Sequence, residues 1–434
     1  MLKACIYTLG CRVNQYESDA VMQELQKRGV IISSTFDGCD ICIINTCSVT
    51  AESDRKSRQI IRRLIKNNPG AVVIVTGCFS QINPKSALAI EGVDLVVGNN
   101  DKSLIAKKAL ELASQRSISP CLIMSDINSG RFDTMSVGAP LTRTRAFIKI
   151  QDGCDSKCAY CIIPFARGSV RSDSRESILA QVRHIVGEGC GEIVLTGIET
   201  ASYGKDLKNG YSLGDLLSEV NEIEGVRRIR LGSLDPSQIT KDFVDKIKGL
   251  DKVMNHFHIS MQSGCSKTLK DMKRKYNIDM AKKNIEYLKN HFPGVMLSAD
   301  VITGFPGESE KDFSETMAFF KEQEFLHLHI FPYSKRRGTV AYDMKNQVDD
   351  ATKKERLHRL QEQQNETRAQ LLRNFIDTTK EVEILFESYE NGYVFGHSPQ
   401  FFEIKAKSDA PRSGEFVKVK PLYQENGYVV AEIL

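Results

Sequence analysis

The octapeptide Cys-Asp-Ser-Lys-Cys-Ala-Tyr-Cys occupies residues 154–161, and its three cysteines decide how the rest of the chain is interpreted. It follows the apolar run AFIKI (146–150) and the break Asp152-Gly153, so we predict that it lies on a loop just past a β-strand. Three thiolates at this spacing can hold three corners of a [4Fe–4S] cube, and no fourth cysteine lies nearby to complete it. Such a cube keeps one iron free to bind a small molecule. The predicted ligands are Cys154, Cys158 and Cys161.

A zinc site is the alternative for the same cysteines. Zinc in a structural site normally takes four ligands, mostly from Cys and His. The next candidates in the chain, His184 and Cys190, lie beyond a complete predicted helix. The iron–sulfur interpretation is therefore favoured.

Length and composition describe a globular protein of more than one domain. The chain has 434 residues, of which 41% are hydrophobic and 26% charged, and about two to three domains are expected. The segment MLKACIYTLG (1–10) lacks the form of a signal peptide, and no apolar stretch is long enough to span a membrane, so we expect a cytoplasmic protein. In that reducing compartment twelve cysteines indicate metal or redox chemistry. The net charge of +4 permits a polyanionic partner without requiring one.

Three apolar runs in the first third of the chain end alike, in a small residue followed by cysteine. Their continuous apolar character is typical of strands buried on both faces of a parallel sheet, and helical patterns separate them. Because the carboxyl ends of parallel strands share one edge, Cys11, Cys47 and Cys78 are predicted to converge there and to hold a second cluster with a free iron. The alternative is that they are small core residues. The runs are ACIYTLGC (4–11), DICIINTC (40–47) and AVVIVTGC (71–78).

This pattern predicts an N-terminal parallel-sheet α/β domain over residues 1–115. Helices are expected at 15–28, 54–67 and 102–114, with a further strand at 93–98. The helix at 54–67 has a basic face, which suits either solvent or a nucleic-acid backbone.

The central part of the chain is predicted to be a partial barrel. Residues 116–142 mix Ser, Gly and Pro with isolated apolar residues and are interpreted as a linker, with a short strand at 121–124. From 143 to 376 strands and helices alternate six times, which predicts a partial (βα)6 barrel with its site at the carboxyl ends of the strands. The strands are expected at 146–151, 192–198, 227–234, 256–262, 296–305 and 327–334, and the helices at 174–188, 212–224, 236–248, 266–291, 309–324 and 350–375.

The spacing C-x3-C-x2-C, with Tyr160 just before the last cysteine, resembles the signature of the radical S-adenosylmethionine (SAM) enzymes. In that family the free iron of the cluster binds the amino and carboxylate groups of SAM. An electron from the cluster then cleaves SAM to a 5′-deoxyadenosyl radical. The resemblance implies SAM as a cofactor of this chain.

Residues at successive strand ends are candidate SAM contacts. Glu199 stands where the family contacts the amino group of SAM, although Thr-Gly-Ile (196–198) replaces the usual two glycines. The polar end of the fourth strand suits ribose hydroxyls or the methionyl carboxylate, and the stretch 304–308 resembles the one that lies along the adenine. A polar turn without a ligand is the alternative for each. The predicted SAM contacts are Tyr160, Gly197, Glu199, Ser260, Gln262, Gly304 and Gly307.

Several basic residues follow the strand ends. They are predicted to form a cationic rim over the site, suited to a substrate that carries phosphate groups, and simple solubility of the loops is the alternative. These residues are Arg167, Arg171, Arg175, Arg274, Lys275 and Lys335-Arg336-Arg337.

The last part of the chain, residues 377–434, changes to short alternating runs with turn signals at Asn391-Gly392 and Asn426-Gly427. Five such strands predict a small antiparallel β-barrel. The tail resembles the TRAM domain, an RNA-binding barrel of RNA-modifying enzymes, although residues 380–434 contain six Lys/Arg and nine Asp/Glu. Any RNA-binding face is therefore local, and a structural or oligomerising barrel is the alternative. The candidate RNA contacts are Lys405, Lys407, Arg412, Lys418 and Lys420.

The whole chain resembles the methylthiotransferase family, in which a cysteine-bearing N-terminal domain precedes a radical SAM barrel and a TRAM domain. TLGCRVNQYES (8–18), INTCSVT (44–50) and FPYSKRRGT (331–339) are most similar to the branch that adds a methylthio group to C2 of N6-threonylcarbamoyladenosine, next to the anticodon of tRNA. Other branches act on isopentenyladenosine in tRNA or on an aspartate of a ribosomal protein. Outside the family, a zinc-bearing RNA-binding protein is the non-enzymatic alternative.

The resemblance implies a tRNA-modifying transferase with two [4Fe–4S] clusters and two roles for SAM, as methyl donor and as radical source. A purine C2–H has no accessible acidity, so a carbon radical must remove the hydrogen, and no catalytic side chain is expected beyond the cluster ligands. A reductant protein is an expected partner, whereas no membrane or DNA partner is expected.

Overall fold

The computed structural model of the protein describes residues 1–115, 119–140 and 143–434. As the sequence predicts, a parallel α/β sheet is followed by an open barrel of parallel strands and then by a small closed β-barrel. None of the helices in these ranges is long and apolar enough to cross a membrane.

The N-terminal unit is a six-stranded parallel sheet in the order β2-β1-β3-β4-β5-β6, with helices on both faces. Alternation of side chains divides its core in two, because Ile41 and Ile43 face α1 and α5 whereas Cys42 and Ile44 face α2. The elements are β1 (Lys3–Thr8), α1 (Arg12–Lys27), β2 (Ile31–Ile32), β3 (Ile41–Thr46), α2 (Ala51–Asn67), β4 (Val72–Gly77), α3 (Cys78–Ile82), α4 (Pro84–Leu88), β5 (Leu95–Val97), α5 (Ile105–Ser114) and β6 (Cys121–Ile123).

Strand β6 lies inside the segment interpreted as a linker. It pairs in parallel with β5, as the sixth strand of the N-terminal sheet. This confirms the short strand predicted at 121–124, and the structure shows in addition that the run CLI is the edge strand of the sheet. Residues 116–118 and 141–142 of the predicted linker lie outside the described residues.

The second unit is the open barrel. Its strands form two parallel sheets, β7-β10-β11 and β12-β13-β14, which join where Leu234 bridges to Ile259. The elements are β7 (Arg145–Lys149), β8 (Gln151–Asp152), α6 (Ile163–Arg167), β9 (Arg171–Ser172), α7 (Arg175–Gly187), β10 (Glu192–Thr196), α8 (Leu213–Asn221), β11 (Arg228–Leu231), α9 (Lys241–Ile247), β12 (His256–Gln262), α10 (Ser266–Asp271), α11 (Ile278–His291), β13 (Met296–Thr303), α12 (Glu310–Gln323), β14 (His327–Pro332), α13 (Val340–Asp343) and α14 (Asp350–Thr378).

Two predicted helices of the barrel are broken in the structure. The helix expected at 266–291 is split into α10 and α11, because Lys273 takes a left-handed conformation (φ +58°) and Asn277 caps a new helix by accepting from Met280 N at 2.9 Å. The helix expected at 236–248 begins as a 3-10 turn after Pro236, and only α9 is α-helical. In both places apolar residues keep their helical spacing across the break, so the sequence pattern predicts one continuous helix.

The C-terminal unit is a closed barrel in the order β15-β16-β17-β19-β18. The prediction of an antiparallel barrel is correct for all pairings but one, since β17 and β19 close the barrel in parallel. The strands are β15 (Val382–Glu390), β16 (Tyr393–His397), β17 (Glu403–Lys407), β18 (Phe416–Glu425) and β19 (Tyr428–Ile433).

The closed barrel caps the open barrel at the amino ends of its strands. Arg230 of β11 donates to the carbonyl oxygens of Ser398 at 2.8 Å and Pro399 at 3.0 Å. Phe401 has a left-handed backbone (φ +72°) and stacks on His256, with 4.7 Å between the ring centroids. The loop between β16 and β17 therefore closes the base of the open barrel.

Buried charges join the N-terminal sheet to the open barrel. Glu17 of α1 is enclosed by Lys102, Lys149 and Arg167, and Arg167 Nη1 lies 2.5 Å from Glu17 Oε1 and 3.1 Å from Asp152 Oδ2. Burial would raise the pKa of Glu17, but the three cations hold it below its ordinary value. These compensating charges fix the strand ends of the N-terminal sheet over the barrel.

Replacing Arg167 with methionine is expected to destabilise the protein by about 3–5 kcal/mol, because Glu17 and Asp152 stay buried with fewer partners. The measurement is the melting temperature of the full-length, iron-loaded protein under anaerobic conditions. Arg175→Met is the matched control, since Arg175 pairs with Glu219 at the surface and exposed pairs contribute little. Equal melting temperatures of the two variants would contradict this role of Arg167.

Candidate active site

The cysteine loop 153–170 leaves the barrel at β8 and returns at β9, and the antiparallel pairing of these two short strands closes it. Gly153 begins the loop with φ +73°, and a Cβ at this position would lie 1.9 Å from Ser169 O. Only glycine fits so close a backbone approach. Cys154 N then donates to Gly168 O at 2.9 Å, which holds the first cysteine at the neck of the loop.

The outer half of the loop is anchored on the far side of the barrel. Ala159 N donates to Met272 O at 2.9 Å, and Ala159 O accepts from Ala341 N at 2.7 Å. Ala159 shares a small apolar cluster with Phe305 and Tyr333. The loop thus spans the mouth of the barrel, and its cysteines are half-buried there.

Cys154 lies beside the carboxylate of Glu199. The thiol donates to Glu199 Oε2 at 3.1 Å, and Glu199 N donates to Gln151 Oε1 at 2.9 Å. Gly197 makes room for the same Gln151 oxygen, which would lie 2.6 Å from a Cβ at that position. The first and second strand ends therefore bring one cysteine and one carboxylate together. Gln151, which the sequence analysis did not single out, connects them.

Arg274 positions the second cysteine. Its guanidinium donates to Cys158 Sγ at 3.2 Å, to Tyr160 Oη at 3.3 Å and to Ser260 O at 3.0 Å. It also forms an ion pair with Asp235 at 2.6 Å. Three of the predicted site residues thus meet at one arginine between α10 and α11.

The remaining predicted SAM contacts lie at the ends of β12 and β13. Ser260 Oγ bonds to Ser233 Oγ, and the bulged end of β12 places Gln262 in a left-handed conformation (φ +64°). In the turn 304–308, Gly304 N donates to Glu308 Oε2 at 2.7 Å. A Cβ at Gly304 would lie 2.3 Å from Lys353 Cγ, so the missing side chain makes room for α14.

The three cysteines of the N-terminal sheet lie at one edge, as parallel strands require. Cys11 precedes α1, Cys47 follows β3 and Cys78 follows β4. A Cβ at Gly10 would lie 3.2 Å from Cys47 Sγ, and Gly77 (φ +97°) packs so closely on Thr46 that a Cβ would lie 2.3 Å from its carbonyl oxygen. The close contacts of Gly10 with Cys47 and of Gly77 with Thr46 bring the three strand ends together.

The two cysteine triads occupy adjoining surfaces. Helix α3, which begins at Cys78, packs against α6, which begins two residues after Cys161. Asn99 Nδ2 donates to Ala166 O at 2.7 Å and strengthens this junction. Burial, and to a smaller extent a charge on Cys78, would raise the pKa of both the Cys11 and the Cys161 thiols, so Cys78 lies near both triads. The edge of the N-terminal sheet therefore faces the mouth of the barrel.

The donor sets fit iron–sulfur cubes. Burial raises the pKa of the Cys47 thiol to about 11 and those of Cys154 and Cys161 to about 12, so these thiols are protonated until a metal displaces the proton. Within the described ranges, no group of three or more His, Cys, Asp or Glu residues is close enough to hold a single ion. A cube spreads its ligands more widely, because each thiolate binds a different iron.

The predicted cationic rim is wrong for four of its residues. Arg167 and Arg171 are buried around Asp152, Arg274 is held by Asp235, and Arg336 is buried against Asp54 at 2.7 Å. Each of these four arginines pairs with an aspartate that lies far from it in the sequence, so the pairing could not be predicted. The exposed members are Arg175, Lys275, Lys335 and Arg337.

The cations of the C-terminal barrel are also largely paired. Lys405 pairs with Glu425, and Lys418 lies 2.7 Å from Glu381. Arg412 lies 3.5 Å from Glu415. Of the predicted RNA contacts, Lys407 and Lys420 have no carboxylate at ion-pair distance in the part of the chain that the structure describes.

An open barrel of parallel strands with C-x3-C-x2-C on the loop after its first strand defines the class of radical SAM enzymes. Residues 148–320 match the family described as the radical SAM superfamily, and residues 3–98 match that described as uncharacterized protein family UPF0004. The solved radical SAM methyltransferase TsrM from Kitasatospora setae has a similar fold, with a TM-score of 0.58 and 13% identity over 79% of this chain and 77% of that one.

Full-length relatives define the family. The chain is 40% identical to threonylcarbamoyladenosine tRNA methylthiotransferase MtaB of Bacillus subtilis, over 99% of this chain and 97% of that protein. It is 32% identical to tRNA-2-methylthio-N(6)-dimethylallyladenosine synthase of Clostridium botulinum, over 96% and 93%. The chain belongs to the radical SAM methylthiotransferase family, MtaB type. It is therefore an enzyme, and the non-enzymatic zinc alternative is set aside.

Proposed function

We propose that this enzyme adds a methylthio group to C2 of N6-threonylcarbamoyladenosine in tRNA, with one [4Fe–4S] cluster on Cys154, Cys158 and Cys161 and a second on Cys11, Cys47 and Cys78. The observation that carries the proposal is the position of the two triads. They lie on adjoining surfaces across the mouth of one barrel, joined through α3 and α6. When bound, the clusters and SAM supply the electron, the radical, the sulfur and the methyl group.

The chain's own residues bind and orient the reactants. The Cys154 thiol donates to Glu199, and a thiolate held by iron would have no proton to donate, so the Glu199 carboxylate would be free to accept from the ammonium group of SAM. Gln151 holds the backbone of Glu199 in place through this exchange. Tyr160, which accepts a hydrogen bond from Arg274, would pack near the adenine of SAM.

The other predicted SAM contacts would form the wall of the SAM pocket. Ser260 presents a hydroxyl at the end of β12, and Gln262 follows the bulge there. The turn containing Gly304 and Gly307 is fixed by Glu308, which pairs with Arg356 at 2.8 Å. Gly197 gives the backbone room beside Gln151. Together these residues would hold SAM with its amino and carboxylate groups toward an iron that has no protein ligand.

The relatives support threonylcarbamoyladenosine over the other substrates. The relative named for that nucleoside is 40% identical, whereas the relative named for dimethylallyladenosine is 32% identical. A tRNA substrate implies a cytoplasmic enzyme, and a reductant protein is needed as the electron source.

The experiment is mass spectrometry of tRNA nucleosides from cells with and without the gene. We expect 2-methylthio-N6-threonylcarbamoyladenosine to disappear and its unthiolated precursor to accumulate when the gene is deleted. Loss of the methylthio derivative of isopentenyladenosine would support the second tRNA substrate instead. An unchanged nucleoside profile would contradict a tRNA substrate altogether.

A further inference from the structure

The base of the open barrel holds a cluster of buried arginines. Three arginines at the base, Arg145, Arg228 and Arg230, share the buried carboxylate of Glu192, at 3.2, 3.6 and 2.9 Å. The closed barrel adds two further carboxylates: Glu387 pairs with Arg145, and Glu383 Oε1 lies 3.7 Å from Arg228. These three guanidinium groups are thus balanced by three carboxylates, and any further cation in the barrel has none of them to itself.

The next cation is Arg12, which directly follows Cys11. Helix α1 packs on β7, and its first residue extends across to β11, where Arg12 Nη1 donates to Leu231 O at a long 3.4 Å. Among the described residues, no carboxylate lies at ion-pair distance from Arg12. Its guanidinium therefore enters the barrel with nearly all of its donors free.

The neighbours of Arg12 are polar but already engaged. Asp300 of β13 lies 3.3 Å from His258 Nε2, and His258 Nδ1 bonds to Ser298 Oγ at 2.9 Å. Arg12 is only partly buried, and His329 on the edge strand β14 is exposed, so solvent and solutes reach this part of the interior. Burial and then the charges of Arg145 and Arg230 lower the pKa of Arg12, which Asp300 and Glu192 partly oppose. An arginine stays charged in such surroundings and attracts an anion.

We propose that Arg12 binds the carboxylate of the threonylcarbamoyl group on the target adenosine, and that the barrel interior beside His258, Asp300 and His329 is the subsite for that substituent. The proposal rests on the proposed function. A threonylcarbamoyl group ends in a carboxylate and a dimethylallyl group does not, so a free guanidinium here selects between the two nucleosides. Because Arg12 adjoins Cys11, a substituent held by Arg12 places its base beside the N-terminal triad. A planar guanidinium also matches a carboxylate in a two-bond geometry.

The test is a binding measurement without SAM, which removes the cofactor's own carboxylate. Full-length, iron-loaded enzyme is titrated with two anticodon stem-loop RNAs that differ only in whether the threonyl carboxylate is free or a methyl ester. Their phosphates are identical, so the ratio of the two dissociation constants isolates the carboxylate. We expect the wild type to bind the free acid about ten-fold or more tightly than the ester. Arg12→Gln should bind both RNAs equally, and Arg12→Lys should keep part of the preference.

Arg28→Gln is the matched control, because Arg28 lies at the other end of α1 on the surface, where it pairs with Glu24. Its ratio should equal that of the wild type. Since each ratio is internal to one protein, a general loss of affinity in a variant does not imitate the result. Arg12→Gln with a full preference for the acid overturns the subsite and leaves the proposed function standing. The same follows from a wild type that binds both RNAs equally but converts the free-acid RNA in a separate turnover assay with SAM and dithionite. A wild type that converts only an isopentenyladenosine stem-loop in that turnover assay overturns both.

Discussion

Replacing Cys154 with alanine is expected to reduce reductive cleavage of SAM to the background of a reaction without enzyme. The barrel triad keeps two thiols, whereas a cube that binds SAM through one free iron needs three. Iron should fall from about eight to about four atoms per chain. Glu199 also loses the thiol that it contacts at 3.1 Å. The measurements are 5′-deoxyadenosine formation with dithionite and iron content after anaerobic reconstitution.

Cys190→Ala is the matched control for this prediction. Cys190 is a buried cysteine in the apolar core of the same barrel, and its thiol hydrogen-bonds to the backbone oxygens of Thr144 at 3.6 Å and Glu192 at 3.7 Å. Its removal should leave iron content and SAM cleavage near wild-type values. Cleavage of SAM by the Cys154→Ala protein would remove this triad from the proposal.

Replacing Cys47 with alanine is expected to separate the two halves of the reaction. The barrel triad is untouched, so 5′-deoxyadenosine should still form, while the N-terminal triad loses the thiol that lies against Gly10. Methylthiolated tRNA should then be absent, and iron should again fall to about four atoms per chain. Product mass spectrometry and 5′-deoxyadenosine measured on the same samples give both quantities.

Cys42→Ala provides the comparison on the same strand. Cys42 is buried in the sheet core, with its sulfur 3.6 Å from that of Cys5, and lies away from the strand end. We expect this variant to methylthiolate tRNA. Product formation by Cys47→Ala, or its loss in Cys42→Ala with all iron retained, would be evidence against sulfur insertion at the N-terminal triad.

Much of the architecture could be predicted because the same patterns of apolar runs, cysteines and helices repeat along the sequence. Each of the first three apolar runs ends in cysteine, and parallel pairing must bring such ends to one edge. The structure places Cys11, Cys47 and Cys78 there. The six alternations of strand and helix likewise gave the open barrel with its cysteine loop after the first strand.

What the sequence did not show depends on distant partners. Arg167 looks like a surface cation until Glu17, 150 residues earlier, is placed against it. Arg336 similarly meets Asp54 across the interface between the two units. The free guanidinium of Arg12 could not be inferred either, since only the packing of α1 on β7 directs it into the barrel.

The loop that closes the base of the open barrel makes the barrel depend on the C-terminal unit. Arg228 donates to His397 O at 3.1 Å and Glu383 O at 2.5 Å, and Arg230 to two further carbonyls of the same C-terminal unit. Cutting the chain before β15 removes these acceptors from guanidinium groups that are otherwise buried. A truncated enzyme would therefore lose the loop that closes the base of the open barrel. It would also lose the candidate RNA contacts Lys407 and Lys420. Deleting the C-terminal unit would weaken tRNA binding and destabilise the open barrel at the same time. Substitutions at Lys407 and Lys420 would test tRNA binding alone.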